Sequence, residues 1–114
     1  MPYLAIHTNV DIDPSGREAL LSDASHTVAN QLGKAERYVM TSYRYNGDML
    51  FAASTAPLAY VELKSIGLPG DQTTALSHTL CQLLGRHLNV AADRIYIEFS
   101  DAEPSLWGWN GRTF

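Results

Sequence analysis

The sequence predicts an α+β fold: a duplicated β-α-β unit forming a four-stranded mixed sheet with two helices on one face, plus short extra strands. Three observations predict it. Apolar residues recur every four positions at Leu20, Ala24, Val28 and Leu32, and again at Leu76, Leu80, Leu84 and Leu88, each 56 positions beyond its counterpart. These are two helix stripes. Short apolar or alternating runs flank each stripe, as strands do. The exits from the stripes also match, Leu32-Gly33-Lys34-Ala35-Glu36-Arg37 against Leu88-Asn89-Val90-Ala91-Ala92-Asp93-Arg94, with one residue inserted. Repetition at a near-constant offset is the mark of internal duplication. At 114 residues the chain is one domain, 1–114, in two halves of about 1–55 and 56–114.

In the first half, Tyr3 to Thr8 is short, apolar and bounded by Asn9 and Asp11, which reads as a strand. Asp13-Pro14-Ser15-Gly16 follows; Asp13 or Ser15 is suited to cap a helix and Pro14 to its first turn. Leu21 lies beside the first stripe, and Gly33 is a natural stop. Arg37 to Tyr45, rich in Tyr, Val, Met and Thr, reads as a second strand. Asn46-Gly47 marks a turn into a short strand around Met49 to Ala53.

The second half repeats the order. From Leu58 to Lys64, Ala59, Val61 and Leu63 alternate with Tyr60, Glu62 and Lys64, the pattern of a half-buried strand. Gly67-Leu68-Pro69-Gly70-Asp71 reads as a turn with a capping Asp before the second helix, and Ile95, Ile97 and Phe99 mark the last main strand. Each β-α-β unit makes parallel neighbours, and two units joined in one sheet give the split β-α-β arrangement. Both helices then cover one face and leave the other bare. Alternation places Tyr38, Tyr60 and Tyr96 opposite the most aliphatic residues of their strands, on that bare face. Only another subunit can supply its missing layer, so an oligomer is expected.

Composition excludes several classes. Hydrophobic residues make up 46% and charged residues 18%, enough apolar mass for a core and unlike a disordered chain. A net charge of −4, with no basic-Gly-aromatic-Gly-aromatic run, argues against nucleic acid as a partner, including an RNA-recognition module of similar topology. One Cys forms no internal disulfide. The N-terminal stretch lacks the basic and long apolar regions of a signal peptide, and no apolar run reaches membrane-spanning length.

Few residues stand out for chemistry. His7, His26, His78 and His87 have no metal-site spacing; His78 and His87, nine positions apart, fall on opposite sides of a helix. Cys81 sits beside the apolar face of the second helix and reads as a packed thiol. Gly67 and Gly70 suit an anion-binding nest or a plain turn, without a phosphate-loop Gly-Lys-Ser/Thr beside them. Pro2 is the unusual residue. Processing enzymes remove Met1 when proline follows, leaving a secondary amine at the start of a core strand. Desolvation and a nearby cation both lower an amine's pKa, bringing it toward the range where a general base works best.

Several segments together resemble the macrophage migration inhibitory factor family of the tautomerase superfamily. They are Met1-Pro2, Thr8-Asn9-Val10, Gly33-Lys34, Pro57-Leu58-Ala59-Tyr60-Val61-Glu62-Leu63-Lys64-Ser65-Ile66-Gly67, Asp93-Arg94-Ile95-Tyr96-Ile97, Gly108-Trp109-Asn110 and Thr113-Phe114. The likeness runs through the whole chain in order, with about one residue inserted near Asp11 to Ser15. It implies a homotrimer whose sheets wrap into a barrel, with active sites at subunit interfaces. It implies cofactor-free keto–enol tautomerisation of phenylpyruvate-type aromatic α-keto acids, dopachrome derivatives included. Pro2 matches the proline that shuttles the proton, and Lys34 the cation that pairs with the substrate carboxylate. Ser65 and Ile66 match the pocket edge, with the Ile66 N–H meeting the ligand. Tyr38, Trp109 and Phe114 match the aromatic wall, and Tyr96 the residue lent by a neighbouring subunit. The resemblance implies a cytoplasmic protein, with export without a signal peptide also known in the family.

The departures bear on specificity. Pro57-Leu58-Ala59-Tyr60 replaces the Cys-x-x-Cys of the animal cytokines, so thiol–disulfide activity is not expected. Glu98 replaces an amide near the ligand's ring end, losing a donor and adding negative charge. Trp107 stands where a small aliphatic residue is usual and narrows the pocket mouth. The alternative reading is a cytokine-like signalling or protein-binding trimer with a relic pocket and a receptor of unknown identity.

Overall fold

A computed structural model describes every residue from Met1 to Phe114. Strand β1 (Tyr3–Thr8) leads into helix α1 (Pro14–Leu32), a 3₁₀ turn (Glu36–Tyr38) and strand β2 (Met40–Tyr45). The order then repeats: strand β3 (Ala59–Ile66), helix α2 (Thr73–Leu88), a 3₁₀ turn (Ala92–Arg94) and strand β4 (Ile95–Ala102). A two-stranded hairpin, β5 (Gly108–Trp109) and β6 (Arg112–Thr113), ends the chain. The main sheet has the order β2-β1-β3-β4, with β1 parallel to β2, β3 parallel to β4 and β1 antiparallel to β3. This is the expected four-stranded mixed sheet of a duplicated β-α-β unit.

The helix ends follow the local chemistry. The Asp13 carboxylate accepts from the Gly16 N–H at 2.7 Å, so Asp13 and not Ser15 caps α1, with Pro14 in its first turn. Gly33 (φ 64°) and Asn89 (φ 54°) both take the left-handed conformation directly after a stripe leucine, so the matched exits are matched in shape. Asp71 does not cap α2. It lies in a 3₁₀ turn (Gly70–Gln72), and Thr73 opens the helix with its own hydroxyl donating to the Gly70 carbonyl at 3.1 Å.

The core lies between the sheet and the helices. Leu4 and Ile6 of β1, Ala59, Val61 and Leu63 of β3, and Ile95 of β4 meet Leu20, Ala24 and Val28 of α1 and Leu76, Leu80, Leu84 and Leu88 of α2. Leu83 joins them as a further buried residue of α2. The opposite face carries Tyr3, Ser42, His7, Tyr60, Glu62 and Lys64, and no layer covers it. Its residues engage one another: the Tyr3 and Ser42 hydroxyls are 2.9 Å apart, the His7 and Tyr60 rings meet edge to face at 6.1 Å, and Lys64 lies 3.5 Å from Glu62.

Two strand expectations need correction. The strand expected from Arg37 starts at Met40, because Glu36–Tyr38 forms a 3₁₀ turn; Tyr38 is therefore off the sheet's open face. The strand expected around Met49 to Ala53 is a tight turn. Ala52 (φ 51°) and Ala53 (φ 58°) are both left-handed, and Phe51 and Ser54 exchange backbone hydrogen bonds across them. Arg94 holds this unusual loop, donating to the carbonyls of Pro57, Phe51, Ser54 and Ala56 at 2.9 to 3.1 Å. That long-range clamp outweighs the apolar local sequence.

The two helices are tied by Asp23, which lies 2.8 Å from the His87 Nε2 and 3.6 Å from the Arg86 guanidinium. Hydrogen bonding to His87 first, then the charges of His87 and Arg86, hold the Asp23 carboxyl below its usual pKa against the opposing effect of burial. A depressed folded-state pKa contributes stability above the ordinary carboxylate range, and that stability is lost as pH falls through the folded value. Asp23→Asn is therefore expected to cost at most about 1 kcal/mol at pH 7, the pair being partly exposed. Urea titrations should show the difference from the unmodified protein vanishing between about pH 4 and pH 2.

Candidate active site

Pro2 immediately precedes β1. Having no N–H, proline suits the first position of a strand, and its carbonyl extends the parallel ladder by accepting from the Met40 N–H at 3.0 Å. The residue is fully buried. It lies in the wall of a cavity of about 340 Å³ whose other walls are mostly apolar, among them Tyr38, Met40, Trp107, Trp109 and Phe114.

The aromatic wall is assembled from two distant segments. The 3₁₀ turn after α1 presents Tyr38. The C-terminal hairpin turns at Asn110 (φ 53°) and Gly111 (φ 75°), an Asn-Gly pair suited to two successive left-handed residues. The turn folds the chain back so that the Phe114 N–H donates to the Trp107 carbonyl at 3.2 Å. The Trp109 and Phe114 rings then stack at 5.7 Å, and Tyr38 meets both edge to face, at 5.4 and 6.3 Å. Such contacts contribute about 0.5–1.5 kcal/mol each beyond area burial, so they hold the wall as a unit.

Lys34, expected at the site, is not among the residues that line the cavity, though its charge acts on the amine of Met1, which does. Lys34 follows the left-handed Gly33, and its ammonium donates to the Ile66 carbonyl at 3.3 Å. The register that pairs Tyr3 with Lys64 runs on to bring Ile66 beside the start of β1. The chain-terminal ammonium on Met1 is held below its ordinary pKa, chiefly by burial and then by the Lys34 charge. Both influences on an amine at this end of the sheet are thus present. With Met1 attached, however, the Pro2 nitrogen is an amide without a basic lone pair.

Ser65, Ile66, Tyr96 and Glu98 do not line the cavity either. Ser65 is fully buried on the helix side of β3, its hydroxyl 3.5 Å from the Ile66 carbonyl. Tyr96 pairs with Tyr60, which in turn pairs with His7, so it lies at the end of the sheet remote from Pro2. The five positions from Pro2 to His7 span about 17 Å. Tyr96 is 65% exposed, its ring 4.7 Å from that of Phe51. Glu98 accepts from the Tyr60 hydroxyl at 2.7 Å, which pushes the phenol up to about 12. A single chain does not bring Tyr96 and Glu98 to Pro2. The cavity also has lining residues with no counterpart among the sequence candidates, notably Arg37 and Met40. The charge of Arg37 three positions after Lys34 was the available signal; its place depends on the 3₁₀ turn.

The sequence profile of the macrophage migration inhibitory factor (MIF) family matches residues 1–114, the whole chain. The chain belongs to this family. Among curated relatives, the macrophage migration inhibitory factor of Xenopus tropicalis is 39% identical over 115 residues, covering 100% of this chain and 99% of the relative. A Brugia malayi homolog is 40% identical with the same coverage. Among solved structures, the Prochlorococcus marinus MIF homologue matches with a TM-score of 0.92 at 42% identity, covering 98% of each chain. The Toxoplasma gondii MIF matches at 0.93 and 36% identity, covering 98% of this chain and 99% of its own. MIF membership accounts for the likeness of fold.

Proposed function

We propose that the chain is a cofactor-free keto–enol tautomerase of phenylpyruvate-type aromatic α-keto acids, acting as a cytoplasmic homotrimer after Met1 is removed. One observation carries the reading. A fully buried Pro2 forms part of an apolar, aromatic-walled cavity, with Lys34 near enough to depress a chain-terminal amine.

In this reaction Pro2, freed of Met1, is a neutral secondary amine. Its nitrogen takes the enol O–H proton and returns a proton to the neighbouring carbon as the carbonyl forms, so the proton count is unchanged and no electrons are transferred. Burial favours the neutral base, and the Lys34 charge adds to it. The Lys34 ammonium pairs with the substrate carboxylate, and the ring lies against Tyr38, Trp109 and Phe114. Trimer formation would cover the bare sheet face and bring Tyr96, with Glu98 on the same strand, toward a neighbour's cavity.

The test is conversion of phenylpyruvate enol to keto by protein whose intact mass lacks Met1, with ultracentrifugation to establish the trimer. Turnover by the trimer is expected. A folded, processed trimer with no turnover leaves a protein-binding MIF-like trimer instead. Lys34→Ala is expected to raise KM about tenfold while changing kcat less, because the carboxylate is held in ground and transition states alike. It should also move the acid limb of the pH profile upward, since a charge that depresses the amine is gone. An unchanged KM would remove Lys34 from the site.

A further inference from the structure

The cavity and its surroundings carry more positive charge than one substrate carboxylate requires. Apart from Lys34, which does not line the cavity, Arg37 lines it with its guanidinium carbon 4.8 Å from the centre of the Tyr38 ring. Arg112 on the hairpin stands 5.6 Å from the centre of the Trp109 ring. Those two rings meet at 5.4 Å, so both guanidinium groups lie against one aromatic cluster.

Within one chain no acidic side chain pairs with these cations. The chain holds twelve acidic residues and a net charge of −4, yet none of its own acidic side chains lines the cavity. The ion pairs are His26–Glu36, Lys64–Glu62, Arg86–Asp23 and His87–Asp23, and Lys34, Arg37 and Arg112 take part in none. Even Glu36, next to Arg37 in sequence, lies 3.5 Å from His26 instead. A guanidinium stacked on a ring uses its flat face for the contact. Its edge keeps the forked N–H donors that match a carboxylate.

We infer that the site selects ring-bearing acids with two acid groups over those with one, Lys34 taking the first and Arg37, assisted by Arg112, the second. The inference rests on the proposed reading of Lys34 as a carboxylate anchor and adds the class of substrate. The aromatic wall fits the ring, and the unpartnered guanidinium edges fit the additional anion.

Binding of inert acids tests this apart from catalysis, with the fluorescence of Trp107 and Trp109 as the reporter. The probes are 3-phenylpropionate, with one carboxylate, and phenylsuccinate and 3-(4-carboxyphenyl)propionate, with two. At least one diacid should bind about tenfold more tightly than the monoacid to the processed protein. That advantage should shrink to about twofold or less in Arg37→Gln and fall as salt is raised. The inference is overturned if neither diacid is favoured, if none of the three acids binds, or if the preference persists in folded Arg37→Gln. Should that variant fail to fold, the salt series decides, and an advantage undiminished at about 1 M salt overturns the inference. Loss of the tautomerase reading shows separately, as absent phenylpyruvate turnover, and diacid selection can hold or fail independently of it.

Discussion

Blocking the Pro2 nitrogen should lower kcat/KM for phenylpyruvate enol by roughly 10²–10⁴-fold, the usual contribution of a positioned general base. An alanine inserted between Met1 and Pro2 does this cleanly. After Met1 is removed the chain begins Ala-Pro, and the Pro2 nitrogen stays in an amide with the same side chain in the same buried place. Pro2→Gly is a complementary change: a primary amine remains, but the ring that fixes the nitrogen and fills the fully buried position is lost. Both variants should keep the fold, because Pro2 contributes to the ladder through its carbonyl, which either change retains. Full activity in either variant would take the proton-shuttle role away from Pro2.

Leu63→Ala should be the most damaging of the core substitutions for stability, costing about 2–5 kcal/mol. Leu63 is 0% exposed, at the centre of β3, paired with Leu4 on one side and Phe99 on the other. Removing it leaves a cavity where both halves of the duplicated unit meet, with little freedom for the sheet to close around it. Domains of this size are stable by only about 5–15 kcal/mol, so the loss is a large fraction of the whole. Urea unfolding of both proteins at equal protomer concentration reads it, since assembly adds stability that varies with concentration. A cost below about 1 kcal/mol would mean that the two halves do not share this core.

The main elements were legible because their signals are local and periodic. The leucine stripe of α2, the alternation of β3 and the helix stop at Gly33 each required only neighbours in sequence. The misread segments were those decided by distant partners. Phe51 to Ser54 looks like a strand by composition, but Arg94 gathers the loop's carbonyls from forty or more positions away. Tyr38 looked like a strand residue because the 3₁₀ turn preceding β2 has no strong composition. The terminal hairpin turns at Asn110-Gly111, and its meeting with Tyr38 joins segments about seventy positions apart. At the site, Pro2, Tyr38, Trp109 and Phe114 do share one cavity, while Lys34 is not among its lining residues. Arg37 was not legible as a lining residue, since nothing in its own sequence says which way the turn faces. Tyr96 and Glu98 lie too far along the sheet to meet Pro2 within one chain.

The most direct test of the proton shuttle is the pH dependence of kcat/KM for phenylpyruvate enol, using trimer whose intact mass confirms that Met1 is gone. A buried Pro2 amine beside Lys34 predicts activity that rises with pH along an acid limb whose apparent pKa lies well below the ordinary ~8 of a chain-terminal amine. Lys34→Ala should shift that limb upward. A limb at the ordinary amine value in the unmodified protein, or no turnover at any pH, would contradict a desolvated Pro2 acting as the base.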